Sequence, residues 1–111
     1  MAKEHSLSFQ SAAKTLYVAM QILKENGDGM KAGDLMEAVG KKVELSDWEK
    51  ETTSKGGIRW QNIYHFTSVD YVKAGFIIKK SGSWYLTPDG ELALKKTPED
   101  ILEIAMNVYR N

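Results

Sequence analysis

Apolar residues recur at three- and four-residue spacing in the first part of the chain, a pattern that indicates amphipathic helices. The first run lies in residues 8–26, ends at Asn26-Gly27, and has as its apolar positions Ala12, Ala13, Leu16, Ala19, Met20 and Leu23. A second helix is predicted over residues 32–43, with one face made by Leu35, Met36, Val39 and Val43. Met30 and Lys31, just before that second helix, suit a very short strand.

The stretch from Ile58 to Ala74 contains no proline or glycine and ends just before Gly75. Glycine readily adopts the left-handed conformation that closes a helix, so a helix is predicted over 58–74. Two β-prone runs follow at 76–80 and 83–86, joined by Ser81-Gly82, which is typical of a tight hairpin. A helix followed by such a hairpin is the core of a winged helix-turn-helix. We therefore predict an α+β, mostly helical fold of this kind, with a two-stranded wing at 77–86 and extra C-terminal helices.

Two Thr-Pro pairs, Thr87-Pro88 and Thr97-Pro98, each predict a helix start. Threonine can cap the first turn, and proline is tolerated at the first helical position. The second of these helices carries an apolar stripe made of Ile101, Leu102, Ala105, Val108 and Tyr109. The sequence stops at Asn111 without a glycine or proline. We therefore divide the chain into a winged domain, 1–96, and a C-terminal amphipathic helix, 97–111, expected to lead into a further domain.

Composition indicates one globular domain in a reducing compartment. The chain has 111 residues, 42% hydrophobic residues and no cysteine, which excludes disulfides and thiolate metal sites and favours the cytoplasm. Its apolar runs are too short to cross a membrane, and residues 1–5 lack the apolar core of a signal peptide. The formal net charge is zero, but residues 55–86 carry five basic residues and one acid, a local net of +4. The positive charge is concentrated on the predicted helix and hairpin, which are the elements expected to contact the phosphates of a nucleic acid.

The polar side of helix 58–74 is the predicted recognition surface for double-stranded DNA. At about 100° per residue, Ile63, Phe66, Val69 and Asp70 are expected to face the core. On the other side, arginine can pair with guanine and asparagine or glutamine with adenine, while basic and hydroxyl groups at the wing tip would hold phosphates. The candidate DNA-binding residues are Lys55, Arg59, Gln61, Asn62, Tyr64, His65, Ser68, Lys79, Lys80 and Ser83.

No residue pattern of an enzyme stands out. His5 and His65 are the two histidines, and without cysteine the usual metal sites are not expected. The sequence Gly27-Asp28-Gly29 follows a predicted helix instead of a strand, so it does not indicate a dinucleotide site. No acid lies two positions before a lysine, so the Asp/Glu-x-Lys element of many nucleases is absent. We expect no catalytic residues, metal or cofactor in this chain.

Several motifs resemble the N-terminal winged-helix domain of Mrr-type restriction proteins. They are the Arg59-x-x-Asn62 helix start with Phe66 four residues later, the helix end Tyr71-Val72-Lys73-Ala74-Gly75, and the hairpin closing in Tyr85-Leu86-Thr87-Pro88-Asp89-Gly90. The resemblance covers most of residues 12–96. It implies a DNA-binding module that precedes a separate nuclease domain, with Arg59 and Asn62 at the start of the recognition helix and Phe66 as its core anchor.

Two other functions fit the same fold. A protein-interaction module would use the winged-helix frame to dock a partner, or to form a homodimer through the apolar stripe of the C-terminal helix. A small winged-helix transcriptional regulator would carry the same recognition helix without a nuclease domain.

Overall fold

The computed structural model describes residues 5–110, except for the side chains of Tyr109 and Arg110. These residues form six helices and three short strands joined by loops. The elements are α1 (Leu7–Glu25), β1 (Met30–Lys31), α2 (Ala32–Lys42), α3 (Asp47–Lys50), α4 (Arg59–Lys73), β2 (Ile77–Lys80), β3 (Ser83–Leu86), α5 (Pro88–Ala93) and α6 (Pro98–Arg110). The predicted α+β, mostly helical fold class is confirmed, and the arrangement is winged-helix-like. The predicted strand at Met30-Lys31 is also present.

Capping groups define the helix ends where the sequence predicts them. The Thr87 hydroxyl accepts a hydrogen bond from the Gly90 N–H at 2.9 Å, and the Thr97 hydroxyl accepts one from the Asp100 N–H at 3.1 Å. These bonds satisfy N–H groups that have no partner inside the helix. At the other end of α4, Gly75 has a φ of +84°, the left-handed conformation expected of it.

The sheet is antiparallel with strand order β1-β3-β2. Its register pairs Lys79 of β2 with Trp84 of β3, and Met30 of β1 with the same Trp84. Directly opposed residues in an antiparallel sheet place their side chains on the same face. Lys79, Trp84 and Met30 therefore share one face of the sheet.

The core lies between α1, α2, α4, α6 and the sheet. Its fully buried side chains include Leu16, Met20 and Leu35. α6 contributes Ile101, Leu102 and Ala105 to this same core. The expectation that the α6 stripe forms a homodimer surface is therefore wrong for these three residues, because they are already covered by their own domain. Val108 is 47% exposed, and the Tyr109 side chain lies outside the described part.

Within residues 5–110, each helix is too short or too polar to span a bilayer.

Candidate nucleic-acid interface

The buried side of α4 is made of aromatic residues and one serine. Trp60, Tyr64, Ser68 and Tyr71 are buried, and the side chains of Tyr64 and Ser68 are completely inaccessible. The expectation that Tyr64 and Ser68 face DNA is therefore wrong. These four residues are spaced four, four and three positions apart, so they form one stripe along the helix.

Aromatic packing explains why this stripe is buried. The rings of Tyr64 and Trp84 stack with centroids 5.4 Å apart and an interplanar angle of 7°, and Trp60 meets Tyr64 edge-on at 5.9 Å. Large rings bury more surface than isoleucine or valine, so packing favours the side that carries them. Trp60, Tyr64 and Tyr71 recur at helical spacing, but Ile63, Phe66 and Val69 do so as well, so spacing alone did not identify this face.

The opposite side of α4 faces solvent and is partly apolar. Phe66 is 82% exposed and Val69 is 43% exposed, while Asn62 and His65 lie on the same surface. The expectation that Phe66 anchors the core, and that Val69 faces it, is wrong. We call the surface of Asn62, His65, Phe66 and Val69 the outer face of α4. Gln61 is half-buried at its edge.

Arg59, the first residue of α4, is engaged inside the protein. Its guanidinium pairs with the carboxylate of Glu51 and donates a hydrogen bond to the Trp48 carbonyl at 2.8 Å. The guanidinium also lies over the Trp48 ring, 4.8 Å from its centroid. The predicted base-reading arginine therefore holds α3 against the start of α4.

Asn62 pins the loop that precedes α4. Its side-chain amide donates to the Gly56 carbonyl at 3.2 Å and lies 3.4 Å from the Thr53 hydroxyl. Gly57, with a φ of +82°, lies so close that a Cβ there would be 2.8 Å from the Asn62 Oδ1. Lys55 is exposed on this loop. Asn62 thus connects the outer face of α4 to the loop that carries Lys55.

The wing contacts α4 through Lys79, which lies one residue pair from the hairpin turn. The Lys79 ammonium donates a hydrogen bond to the Ser68 hydroxyl at 2.7 Å and lies 4.4 Å from the centroid of the Trp84 ring. Burial lowers the pKa of Lys79 below its ordinary value. His65 meets Trp84 edge-on at 6.2 Å, and burial together with the Lys79 charge lowers the pKa of His65. His65 is therefore biased towards its neutral form.

The tip of the wing carries a second group of basic residues. In the sheet register Ser83 lies opposite both Lys80 of β2 and Lys31 of β1. These three side chains therefore share the sheet face opposite to that of Lys79. Lys80 and Lys31 are both exposed. The sequence alone did not identify Lys31 as part of this group, because Ser83, its neighbour across the sheet, is more than fifty residues away in the chain.

An apolar groove runs beside the outer face of α4, between the start of α1 and α6. It measures about 500 Å³, and its apolar lining includes Phe9, Ile63, Phe66, Leu102 and Met106. Phe66 lies at its border with the outer face, so one exposed ring belongs to both surfaces.

Within residues 5–110, no three or more His, Asp or Glu side chains lie close enough together to hold a metal ion.

Comparison with known proteins identifies one family. The model of the Mrr N-terminal domain matches residues 13–96, which covers the chain from the second turn of α1 through α5. Searches of curated proteins and of solved structures gave no match. The matched part includes α4, the loop before it and the wing, and it makes up more than half of the sequence. This chain belongs to the Mrr N-terminal domain family.

Proposed function

We propose that this domain binds duplex DNA within a restriction-type protein, with α4 in the major groove and the β2–β3 wing on the DNA backbone. The observation that carries the proposal is the uncovered outer face of α4, which lies beside a wing docked on the same helix through Lys79 and Ser68. An exposed helix next to a hairpin is the geometry by which winged helices enter a groove.

The outer face of α4 offers both polar and apolar contacts to base edges. Asn62 and His65 carry hydrogen-bonding groups, and Phe66 and Val69 are exposed apolar side chains. In the major groove an apolar side chain can contact the methyl group of thymine, and asparagine can pair with adenine. Asn62 already bonds the loop at Gly56, so its use for a base requires an exchange of partners.

Phosphate contacts are assigned to exposed lysines on both sides of α4. Lys55 lies on the loop before the helix, Lys80 lies at the wing tip, and Lys31 lies beside that tip on β1. Because the whole chain has a net charge of zero, DNA attraction depends on these local charges. The affinity should therefore fall steeply with salt.

Fluorescence anisotropy with a labelled duplex, titrated at several salt concentrations, tests the proposal. Lys80→Met and Lys55→Met should each weaken binding and reduce the salt slope by about one. Lys95→Met is the matched control, because Lys95 lies beside Lys24 and Glu91 on the α1–α5 side. The absence of salt-sensitive binding by the unaltered domain at low ionic strength would rule out the proposal.

A homodimer is the second candidate function, and Phe66 favours it. A ring that is 82% exposed beside an apolar groove can enter the groove of a second copy, and the same contact repeats across a two-fold axis. Sedimentation velocity of the unaltered domain and of Phe66→Ser separates the two uses of this ring. A dimer that Phe66→Ser converts to a monomer supports pairing. A monomer throughout, with weaker DNA binding by Phe66→Ser, supports the base contact alone.

A further inference from the structure

Lys79 is an exposed residue, yet its ammonium contacts the Ser68 hydroxyl of α4 and the Trp84 ring of the neighbouring strand. In the sheet it lies opposite Trp84, on the face that packs against the Tyr64 ring. Its ammonium reaches the Ser68 hydroxyl at 2.7 Å, and that hydroxyl in turn donates to the His65 carbonyl at 2.7 Å. The Ser68 hydroxyl therefore accepts from Lys79 while donating its own proton to the helix backbone.

We propose that Lys79 is a positioning residue for DNA binding, which locks the wing onto α4 through Ser68 and Trp84 and makes no phosphate contact. This inference rests on the proposed function. β2 is a four-residue edge strand of the three-stranded sheet, so its position also depends on what its side chains contact. A charged hydrogen bond and a cation–π contact are stronger than neutral contacts of the same size.

The lock sets where the wing tip lies. Lys80 follows Lys79 directly, and consecutive residues of a strand point to opposite faces. Holding Lys79 on α4 therefore aims Lys80 and Ser83 away from the helix at a defined position. If the wing were mobile, Lys80 would keep its charge, but fixing it against a phosphate would cost conformational entropy.

Ser68 makes the inference testable, because it is completely buried and cannot touch DNA. If Lys79 acts through Ser68, then Ser68→Ala and Lys79→Met should each weaken duplex binding by roughly tenfold, the effect of one lost charged hydrogen bond. The salt slope should stay unchanged in both, and the double variant should bind no more weakly than Lys79→Met alone. Lys80→Met provides the comparison in which the slope falls by about one.

Any other pattern overturns the lock. Lys79→Met with a reduced slope would make Lys79 a phosphate contact, and Ser68→Ala with normal affinity would show that Lys79 does not act through Ser68. Additive losses in the double variant would show that the two residues act separately.

Amide hydrogen exchange of residues 77–86 without DNA separates this inference from the proposed function. Ser68→Ala and Lys79→Met should each speed exchange in the wing by roughly tenfold, while Lys80→Met should not. If the unaltered domain binds no DNA yet the wing loosens in this way, the proposed function fails and the lock stands. If neither variant changes the exchange rate of the wing, the positioning role of Lys79 is refuted, whatever the result of the DNA-binding measurement.

Discussion

The carboxylate of Glu51 pairs with the guanidinium of Arg59, and this contact joins the end of α3 to the first residue of α4. The charge of Arg59 is therefore compensated within the domain at the point where α4 begins. An arginine at this position contributes less to attraction of phosphates than its formal charge suggests, because a neighbouring acid cancels its field.

Glu51→Gln should strengthen duplex binding by roughly threefold, because an exposed ion pair is worth up to about 1 kcal/mol and its loss frees the Arg59 charge. Anisotropy titrations at fixed salt measure the change. Glu37→Gln is the control, since Glu37 is an exposed acid paired with Lys41 on α2. Equal strengthening by both variants would reveal a general charge effect without a role for Arg59.

Glu49 should make stability depend on acidity. It is buried on α3, receives hydrogen bonds from the Ser11 hydroxyl at 2.5 Å and the Lys14 ammonium at 2.8 Å, and also caps the Ser46 N–H. Burial alone would raise its pKa, but these bonds and the Lys14 charge lower the pKa from 4.5 to about 2. The folded state therefore holds this carboxylate ionised where the unfolded chain takes up a proton.

Glu49 should therefore make its full contribution to the free energy of unfolding above pH 4.5. That free energy should decrease by about 2 to 3 kcal/mol as the pH falls towards 2. Urea unfolding at several pH values measures this loss. Glu49→Gln should be less stable at pH 7, and the difference should close at low pH. Glu44→Gln, an exposed acid nearby, should keep the dependence of the unaltered chain. A pH-independent difference for Glu49→Gln would contradict the assignment.

Tyr64→Phe should leave stability unchanged or raise the free energy of unfolding by about 1 kcal/mol. The Tyr64 hydroxyl is buried without a hydrogen-bond partner among the described residues, and burial raises its pKa well above the ordinary value. Removing an unsatisfied buried hydroxyl removes its desolvation cost. Tyr17→Phe is the matched control, because the Tyr17 hydroxyl donates to the Leu94 carbonyl at 3.3 Å. Chemical denaturation should show a loss only for Tyr17→Phe, and the reverse order would refute the packing of Tyr64.

Gly90→Ala should destabilise the fold by about 2 to 4 kcal/mol. A Cβ at Gly90 would lie 2.3 Å from the Phe76 carbonyl oxygen, which is backbone and cannot move aside cheaply. Overpacking of this kind is among the costlier single substitutions. Gly33→Ala is the control, because nothing lies within 4 Å of its Cβ position and alanine favours a helix. Thermal unfolding compares the two, and a Gly90→Ala protein as stable as Gly33→Ala would show that α5 lies elsewhere.

The order and bounds of the main elements were predictable because their signals are local. The Thr87-Pro88 and Thr97-Pro98 starts, the Gly75 stop and the Ser81-Gly82 turn each act within a few residues, and the helices and strands lie within one or two residues of the predicted bounds. The family resemblance rested on the same continuous stretch, and the match to residues 13–96 confirms it.

The face of α4 that reaches solvent could not be obtained in this way. Both sides of the helix carry apolar residues, so periodicity alone allowed either Phe66 or Tyr64 to be buried. The choice was made by Trp84, twenty residues further on, which stacks on Tyr64 and leaves Phe66 in solvent. Likewise, the partners of Arg59 and Lys79 come from α3 and from α4, where they decide which charges remain available. Local hydrogen bonding and chain stiffness define the elements of this protein, while contacts between residues distant in the chain decide which side chains they present.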